Sequence, residues 1–346
     1  MYLNKIKIQN FRNYEEQTID LNKDINIFYG YNAQGKTNIL ESVFLCAFGK
    51  SFRTNKEKEM IKKGEKYANI EVEYQKKDRN GKIKINISEK KVIYLNNIKI
   101  KKLSELLGTI NLVIFTPDDI NLLKNGPADR RKFIDMMIGQ LRPQYIHILN
   151  NYLKTLEQRN NYLKQNYNDQ MLEIWNEKLA ELGYKIYLYR KEYIEKIKNK
   201  IKNIHSEITD EKIDINYTSD CEEIEKYLKK LEKNKNIDKI RGYTTSGIHR
   251  DDFKIYINGE DVGVYGSQGQ NRTAILSMKL AELQVINDEI GEYPILILDD
   301  FMSELDEKRI SKFLLNIKNI QVLITCTKDI DIKNRKSFYI ENGKIK

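Results

Sequence analysis

Residues Gly30-Tyr31-Asn32-Ala33-Gln34-Gly35-Lys36-Thr37 fit the spacing G-x-x-x-x-G-K-[ST]. Glycines at these positions let the backbone bend so that successive N–H groups converge on phosphate oxygens, and a helix beginning there adds the positive end of its dipole. In such a loop Lys36 supplies the counter-charge for the β- and γ-phosphates of ATP, and the Thr37 hydroxyl supplies an oxygen ligand to Mg²⁺. We expect Lys36 to lie in a solvent-facing loop. A second acidic feature stands far along the chain, where the apolar run Pro294 to Leu298 ends in Asp299-Asp300. Carboxylates at the C-terminal tip of a buried parallel strand suit metal and water chemistry: Asp299 as the partner of Mg²⁺, Asp300 as the group that orients or deprotonates the attacking water. Lys36, Asp299 and Asp300 are therefore the candidate catalytic residues, Gly30 to Thr37 the candidate nucleotide cradle, and Thr37 and Asp299 the candidate metal ligands.

The surrounding pattern supplies elements able to hold these groups. Leu3 to Gln9 and Ile25 to Tyr29 read as strands, and a helix is predicted from Thr37 to Phe48. Ala68 to Tyr74 and Lys82 to Ile87 alternate with period two about Asn80-Gly81, a hairpin signal, and Val92 to Leu95 and Ile98 to Ile100 flank Asn96-Asn97. Ile110 to Phe115 is expected to close this antiparallel block. From Gly126 to Leu231 the texture is helical. Leu172, Trp175, Leu179, Leu182, Ile186, Tyr189 and Tyr193 form one stripe, and Ile146 to Leu156 a second, which predicts two long helices packed as an antiparallel arm. Strand texture returns at Phe253 to Ile257, before an Asn258-Gly259 turn. The remainder alternates helix (Asn271 to Asn287), strand (to Leu298), helix (Glu307 to Ile317) and strand (Gln321 to Cys326), which argues for a parallel sheet covered by helices. The expected organisation is a head from 1–125 and 240–346 with a helical lobe inserted at 126–239.

Such a wide gap between phosphate loop and acidic strand end excludes small P-loop folds unless something large is inserted, and the helical segment is that insertion. Ser267-Gln268-Gly269-Gln270, just before a helix, resembles the signature Leu-Ser-Gly-Gly-Gln of ABC ATPases, with Gly266 in the Leu position and Gln268 in place of the first Gly. Ser303-Glu304-Leu305-Asp306 resembles the D-loop of the same class. Within it, Phe11-Arg12-Asn13-Tyr14, NAQGKTNILE (32–41), Lys50-Ser51-Phe52-Arg53, Phe115 to Asp119, Gly126 to Phe133 and Gly247-Ile248-His249-Arg250-Asp251 resemble the RecF family. The resemblance covers most of the chain outside the helical arm. It implies an α/β, ABC-type ATPase head with a mixed sheet and an inserted helical lobe, related to SMC-type heads. It further implies binding of ATP and of DNA, single-stranded and duplex, at gaps. The implied cycle is a homodimer formed across two nucleotides, with Ser267 to Gln270 completing the partner's site, and help in placing recombinase with RecO and RecR. Where ABC proteins usually carry a switch histidine, this chain has Thr325-Cys326-Thr327. A hydroxyl can position a γ-phosphate but cannot take positive charge as imidazole can, which predicts slow turnover.

Bulk properties are consistent with this reading without selecting it. The 346 residues suffice for two cored units, and the formal charge of +10 suits a polyanionic partner, although a lysine-rich solvated surface has the same signature. No run of about 18 uncharged apolar residues occurs, so a cytoplasmic protein without membrane spans is expected. Cys46, Cys221 and Cys326 are far apart and lack metal-site spacing, and read as buried small apolar residues; His249, with no other ligand spaced near it, reads as structural. The transporter-type alternative, an ATP-binding subunit at a membrane, shares the nucleotide motifs but has neither the FRNY opening nor the lysine-rich arm. Membrane association without DNA binding would distinguish it, and absence of DNA-stimulated hydrolysis would favour a scaffold with structural ATP.

Overall fold

The computed structural model describes residues 1–165, 169–300 and 319–346. They divide into two compact units, Met1–Ile120 with Lys279–Lys346 and Asn121–Met278. In chain order, the first unit begins with strands β1 (Tyr2–Phe11), β2 (Tyr14–Asp20) and β3 (Ile25–Tyr29), helix α1 (Lys36–Phe48), and strands β4 (Ala68–Gln75), β5 (Asn80–Ile87), β6 (Val92–Leu95), β7 (Ile98–Lys99) and β8 (Leu112–Phe115). The second contains α2 (Pro127–Leu141), α3 (Pro143–Leu163), α4 (Asp169–Ile208), β9 (Ile213–Thr218), α5 (Ile224–Lys233), α6 (Lys235–Arg241), β10 (Asp252–Ile257), β11 (Glu260–Asp261) and α7 (Val262–Tyr265). Helix α8 (Gln268–Ile290) carries the chain back to the first unit, which ends with β12 (Ile295–Leu298), β13 (Val322–Cys326), β14 (Arg335–Glu341) and β15 (Lys344–Ile345).

The first unit holds two six-stranded sheets. One is antiparallel, in the order β2-β1-β4-β5-β6-β7; the other runs β15-β14-β3-β13-β12-β8, parallel except for the terminal β14–β15 pair. In β4 the inward set is Ala68, Ile70, Val72 and Tyr74, while Glu71 and Glu73 face outward, as the period-two pattern requires. Strands β12 and β13 are buried on both faces, matching their uninterrupted apolar sequence. Helix α1 packs against β1, β4 and β5 of one sheet and β13 of the other. That position explains why KTNILESVFLCAF has no polar face. It ends at Gly49, whose φ of 65° lets its N–H reach Leu45 O at 2.8 Å.

Several expectations are corrected. Strand β8 does not close the antiparallel block; it pairs in parallel with β12, because four consecutive buried residues fit the two-sided burial of a parallel sheet. The β4–β5 turn lies at Lys77-Asp78, closed by Lys76 N donating to Arg79 O at 2.7 Å, and Asn80-Gly81 lies inside β5. Gly81 is required there because a Cβ would meet the Tyr74 hydroxyl at 2.3 Å. The Asn96-Asn97 and Asn258-Gly259 turns form as expected, with positive φ at all four residues. Helix 307–317 and the D-loop resemblance at Ser303 to Asp306 lie outside the described residues.

In the second unit the two predicted long helices are α3 and α4. Tyr145 meets Tyr189 near one end and Tyr162 meets Trp175 near the other, so the helices run antiparallel. The segment read as uniformly helical contains β9, which pairs with β10 in the sheet β11-β10-β9. That pairing is why residues 240–278 group with the helical unit, whereas the sequence suggested a break near 239.

Candidate functional site

The nucleotide-type residues come together at the C-terminal ends of the parallel strands. Gly30 leaves β3 with φ of 146°, where a Cβ would lie 2.3 Å from Ile340 O on β14. Gly35 has φ of 111°, and a Cβ there would strike the Asn13 side chain. Both glycines are therefore fixed by backbone sign and by close neighbours. The loop tip, Tyr31 to Ala33, faces solvent, while Gly35 and Lys36 are buried. Lys36 thus departs from the solvent-facing placement expected. Its Nζ donates to the carbonyl oxygens of Gly30 at 2.8 Å and Tyr31 at 2.9 Å, which centres the ammonium beneath the loop.

Thr37 and Asp299, 262 positions apart in sequence, are in contact: Thr37 Oγ1 donates to Asp299 Oδ1 at 2.8 Å. Thr325 Oγ1 donates to the same oxygen at 2.8 Å and accepts the N–H of Asp300 at 2.9 Å. Burial pushes the Asp299 carboxyl above its usual range, and the Thr325 and Thr37 hydroxyls oppose that shift by favouring the charged form. Asp300 turns away from β12 with φ of 46°, a left-handed conformation that Asp tolerates better than most residues. Thr325 is fully buried and engaged with Asp299 and Asp300, so its hydroxyl serves the acidic strand end rather than facing outward as a switch residue. A hydroxyl and a carboxylate 2.8 Å apart beside an ammonium and a glycine-shaped loop fit a magnesium nucleotide, since Mg²⁺ takes oxygen ligands.

A bracing shell lies beneath the loop, and its members come from segments whose roles were not legible in sequence. FRNY is the tip of the β1–β2 hairpin: Phe11 pairs with Tyr14, and Arg12 takes φ of 56°. Asn13 Nδ2 donates to Gln34 O at 2.8 Å, Asn38 Nδ2 donates to Asn13 Oδ1 at 2.8 Å, and Tyr14 donates its hydroxyl to Gly35 O at 3.1 Å. Arg12 Nε donates to Glu41 at 2.8 Å, Ser51 donates to the same carboxylate, and Arg53 lies 3.5 Å from it. Glu41 is fully buried, and these three partners explain how α1 tolerates it. Arg53 also donates to Asn38 at 2.7 Å. From the other side, the β14–β15 turn places Gly343 N on Gln34 O at 3.1 Å and Asn342 N on Gln34 Oε1 at 2.7 Å.

The remaining motif residues lie in the second unit. Ser267 caps α8: Gln270 N donates to Ser267 Oγ at 3.1 Å, and Ser267 N donates to Gln270 Oε1 at 2.9 Å, a reciprocal capping box. The helix accordingly begins at Gln268 rather than Asn271, and Gln268 and Gly269 occupy its first turn, where N–H groups have no intrahelical acceptor. His249 is structural: its Nε2 donates to Thr244 O at 3.0 Å, leaving Nδ1 to accept from Tyr152 at 2.9 Å. Burial lowers its pKa to about 4. Arg130 Nε donates to Asp252 Oδ1 at 2.6 Å and Nη2 to Oδ2 at 3.0 Å, while Arg131 donates to Asp251 O at 2.7 Å. Segment 126–133 is thus clamped to the end of the 247–251 motif at Asp251 and to the adjoining Asp252. The cysteines are free and buried, and among the described residues no cluster could hold a metal through His, Cys, Asp and Glu and no helix is long and apolar enough to cross a membrane.

The RecF/RecN/SMC N terminal domain model matches residues 2–340. A protein from Alkaliphilus oremlandii named DNA replication and repair protein RecF is 43% identical, over 100% of both chains. One of the same name from Clostridium perfringens is 43% identical over 100% of this chain and 99% of its own. The chain belongs to the RecF family. A solved structure described as the recombination mediator protein RecF-ATP in the RecFOR pathway superposes with a TM-score of 0.94 at 39% identity, covering 100% of this chain and 97% of that one. An Smc head from Pyrococcus furiosus shares the fold with a TM-score of 0.59 at 16% identity, covering 100% of this chain and 95% of that one. The expected α/β, ABC-type head with a mixed sheet is the fold of this chain.

Proposed function

We propose that this protein is an ATP-dependent DNA-binding repair factor that recognises single-stranded and duplex DNA at gaps and, with RecO and RecR, assists recombinase loading. The observation that carries the nucleotide reading is the Thr37–Asp299–Thr325 hydrogen-bonded cluster beside Lys36. Its membership of the RecF family and its likeness to a RecF-ATP structure support the rest. In this reading the backbone of Gly30 to Thr37 wraps the phosphates and Lys36 exchanges its loop carbonyls for phosphate oxygens. Thr37 and Asp299 would hold Mg²⁺, which when bound neutralises charge on the β- and γ-phosphates. Asp300 orients the attacking water. Ser267 to Gln270 of a second copy completes the site, and without a switch imidazole the turnover is slow.

The test is a DNA titration against duplex, single-stranded and gapped substrates with and without ATP. Binding is expected to need ATP, to favour the gapped substrate, to show little base preference, and to weaken steeply with salt because phosphates supply most contacts. Salt-insensitive binding, or none at low salt with ATP present, would overturn it.

A further inference from the structure

Helix α6 and the residues after it expose apolar side chains where their surroundings are cationic. Ile237 is 46% exposed, Ile240 86% and Tyr243 40%. Ile237 and Ile240 are three apart, so they are neighbours on the helix surface, and Tyr243 follows the Gly242 turn that ends it. Scattered exposed apolar residues are ordinary, but two isoleucines on one face of a seven-residue helix, with an exposed tyrosine just past its end, concentrate apolar surface within seven positions of sequence. Residues 229–241 carry six cations and two carboxylates. One of those carboxylates, Asp238, is fully buried against Arg159, and the other, Glu232, lies 3.5 Å from Lys235, so the stretch keeps an excess of positive charge. Arg250 stands 5.3 Å from the Tyr243 ring centroid and adds another positive charge at the patch.

The patch is also rigid. Arg159 on α3 donates to Asp238 on α6 at 2.8 Å, to Thr244 at 2.7 Å and to Asn176 on α4 at 2.8 Å, and both members of the ion pair are fully buried. Asp238 Oδ1 also accepts from the N–H of Thr245 at 2.9 Å. The helix is therefore locked to the α3–α4 pair on both sides of Ile240, and its exposed side chains are presented in a fixed arrangement. Preorganised apolar anchors lower the entropy cost of binding.

We propose that the Ile237–Ile240–Tyr243 face is a docking site for an acidic protein segment that carries one or two large apolar side chains. Charge complementarity selects the acidic partner, and the apolar anchors select a polypeptide over a nucleic acid, since a phosphate backbone has no use for two exposed isoleucines. A patch of three side chains fits a short segment rather than a domain-sized interface.

The experiment uses the full chain and a fluorescein-labelled synthetic peptide of aspartates with a central Leu-Phe pair, read by anisotropy. Wild type should bind with a dissociation constant on the order of 10–100 μM. The charge-neutral double variant Ile237→Ser/Ile240→Ser should weaken it by about 10-fold or more, as should replacing Leu-Phe by Ser-Ser in the peptide. Ile240→Glu, at a position too exposed to disturb folding, should weaken it further through repulsion of the aspartates. Duplex and single-stranded DNA affinities of the double variant should stay within about 2-fold of wild type, because no charge is removed. Equal binding of both peptides, or equal binding by wild type and Ile240→Glu, would overturn the proposal. So would a loss of DNA affinity in the charge-neutral variant with peptide binding intact, or a peptide-free self-association of wild type that the variant abolishes.

Discussion

Single side chains divide between those that hold the loop and those that hold the second unit. Lys36 donates to both Gly30 O and Tyr31 O, so Lys36→Ala removes the proposed phosphate counter-charge and deprives two carbonyls of their ammonium donor. Gly30 and Lys36 are buried, so the loss of the ammonium donor should cost about 1–3 kcal/mol of stability, whereas ATP affinity should fall on the order of 100-fold. Calorimetric titration with ATP alongside a thermal melt checks both, and unchanged affinity in a folded variant would refute the phosphate-loop reading. His249 supports a pH prediction. Its folded pKa, about 4, lies below the ordinary value of 6.5, so the unfolded chain binds the proton more readily between those limits. The neutral ring therefore contributes stability fully above about pH 6.5, and this is lost as pH falls towards 4. Burial raises Asp251 to about 6, which acts in the opposite sense over much of that window, so wild type alone would show a muted trend. The difference between wild type and His249→Gln isolates the histidine: its stability advantage should shrink by about 3 kcal/mol between pH 7 and pH 4. A difference that is flat with pH in urea melts would show that the histidine is not held neutral.

Elements explain what the sequence could and could not reveal. The Gly30 to Thr37 loop was legible because its eight residues are contiguous and strand and helix flank them, and the acidic strand end because β12 is one unbroken apolar run. The brace was not legible in role, because Arg12, Asn13, Glu41, Ser51 and Arg53 belong to a hairpin tip, a helix and a loop that meet only in the fold. Strand β8 shows the same limit: an apolar run announces burial, but which sheet it joins is decided by β12, far along the chain. Asn80-Gly81 misled for a different reason, since its glycine answers the Tyr74 ring rather than a turn. The hairpin tip then gives a prediction of its own. Asn13 joins the loop at Gln34 to α1 at Asn38, so Asn13→Ala should loosen the loop without removing any group that a phosphate would touch. ATP affinity should fall about 10-fold while stability changes by about 1 kcal/mol, the worth of a typical hydrogen bond. An affinity equal to wild type, measured by the same titration, would mean that the hairpin tip does not order the loop.

At the scale of the whole molecule, the nucleotide residues and the signature-like residues fall in different compact units, so each unit carries one half of the expected machinery. Lys36, Thr37 and Asp299 are in the first; Ser267, Gln268, Gly269 and Gln270 open α8 in the second. The capping box commits the Ser267 hydroxyl and the Gln270 amide oxygen to the start of that helix, which fixes the first turn and its N–H groups for an incoming anion. If those groups meet the γ-phosphate bound by a second copy, ATP bridges two chains and ADP cannot, so assembly becomes a switch reset by hydrolysis. Asp300→Asn keeps the backbone N–H that Thr325 accepts while removing the basic oxygen, and so should bind ATP but not turn it over. Sedimentation of this variant with ATP and Mg²⁺ should give a dimer, and with ADP a monomer. Ser267→Arg should bind ATP as a monomer with near wild-type affinity yet fail to dimerise or hydrolyse, since it sets a cation and extra bulk at the helix start. The lost cap should itself cost only about 1 kcal/mol, which a thermal melt separates from misfolding. An Asp300→Asn protein that stays monomeric at saturating ATP would exclude the nucleotide-bridged dimer, and a Ser267→Arg protein that still dimerises would place the bridge elsewhere on the chain.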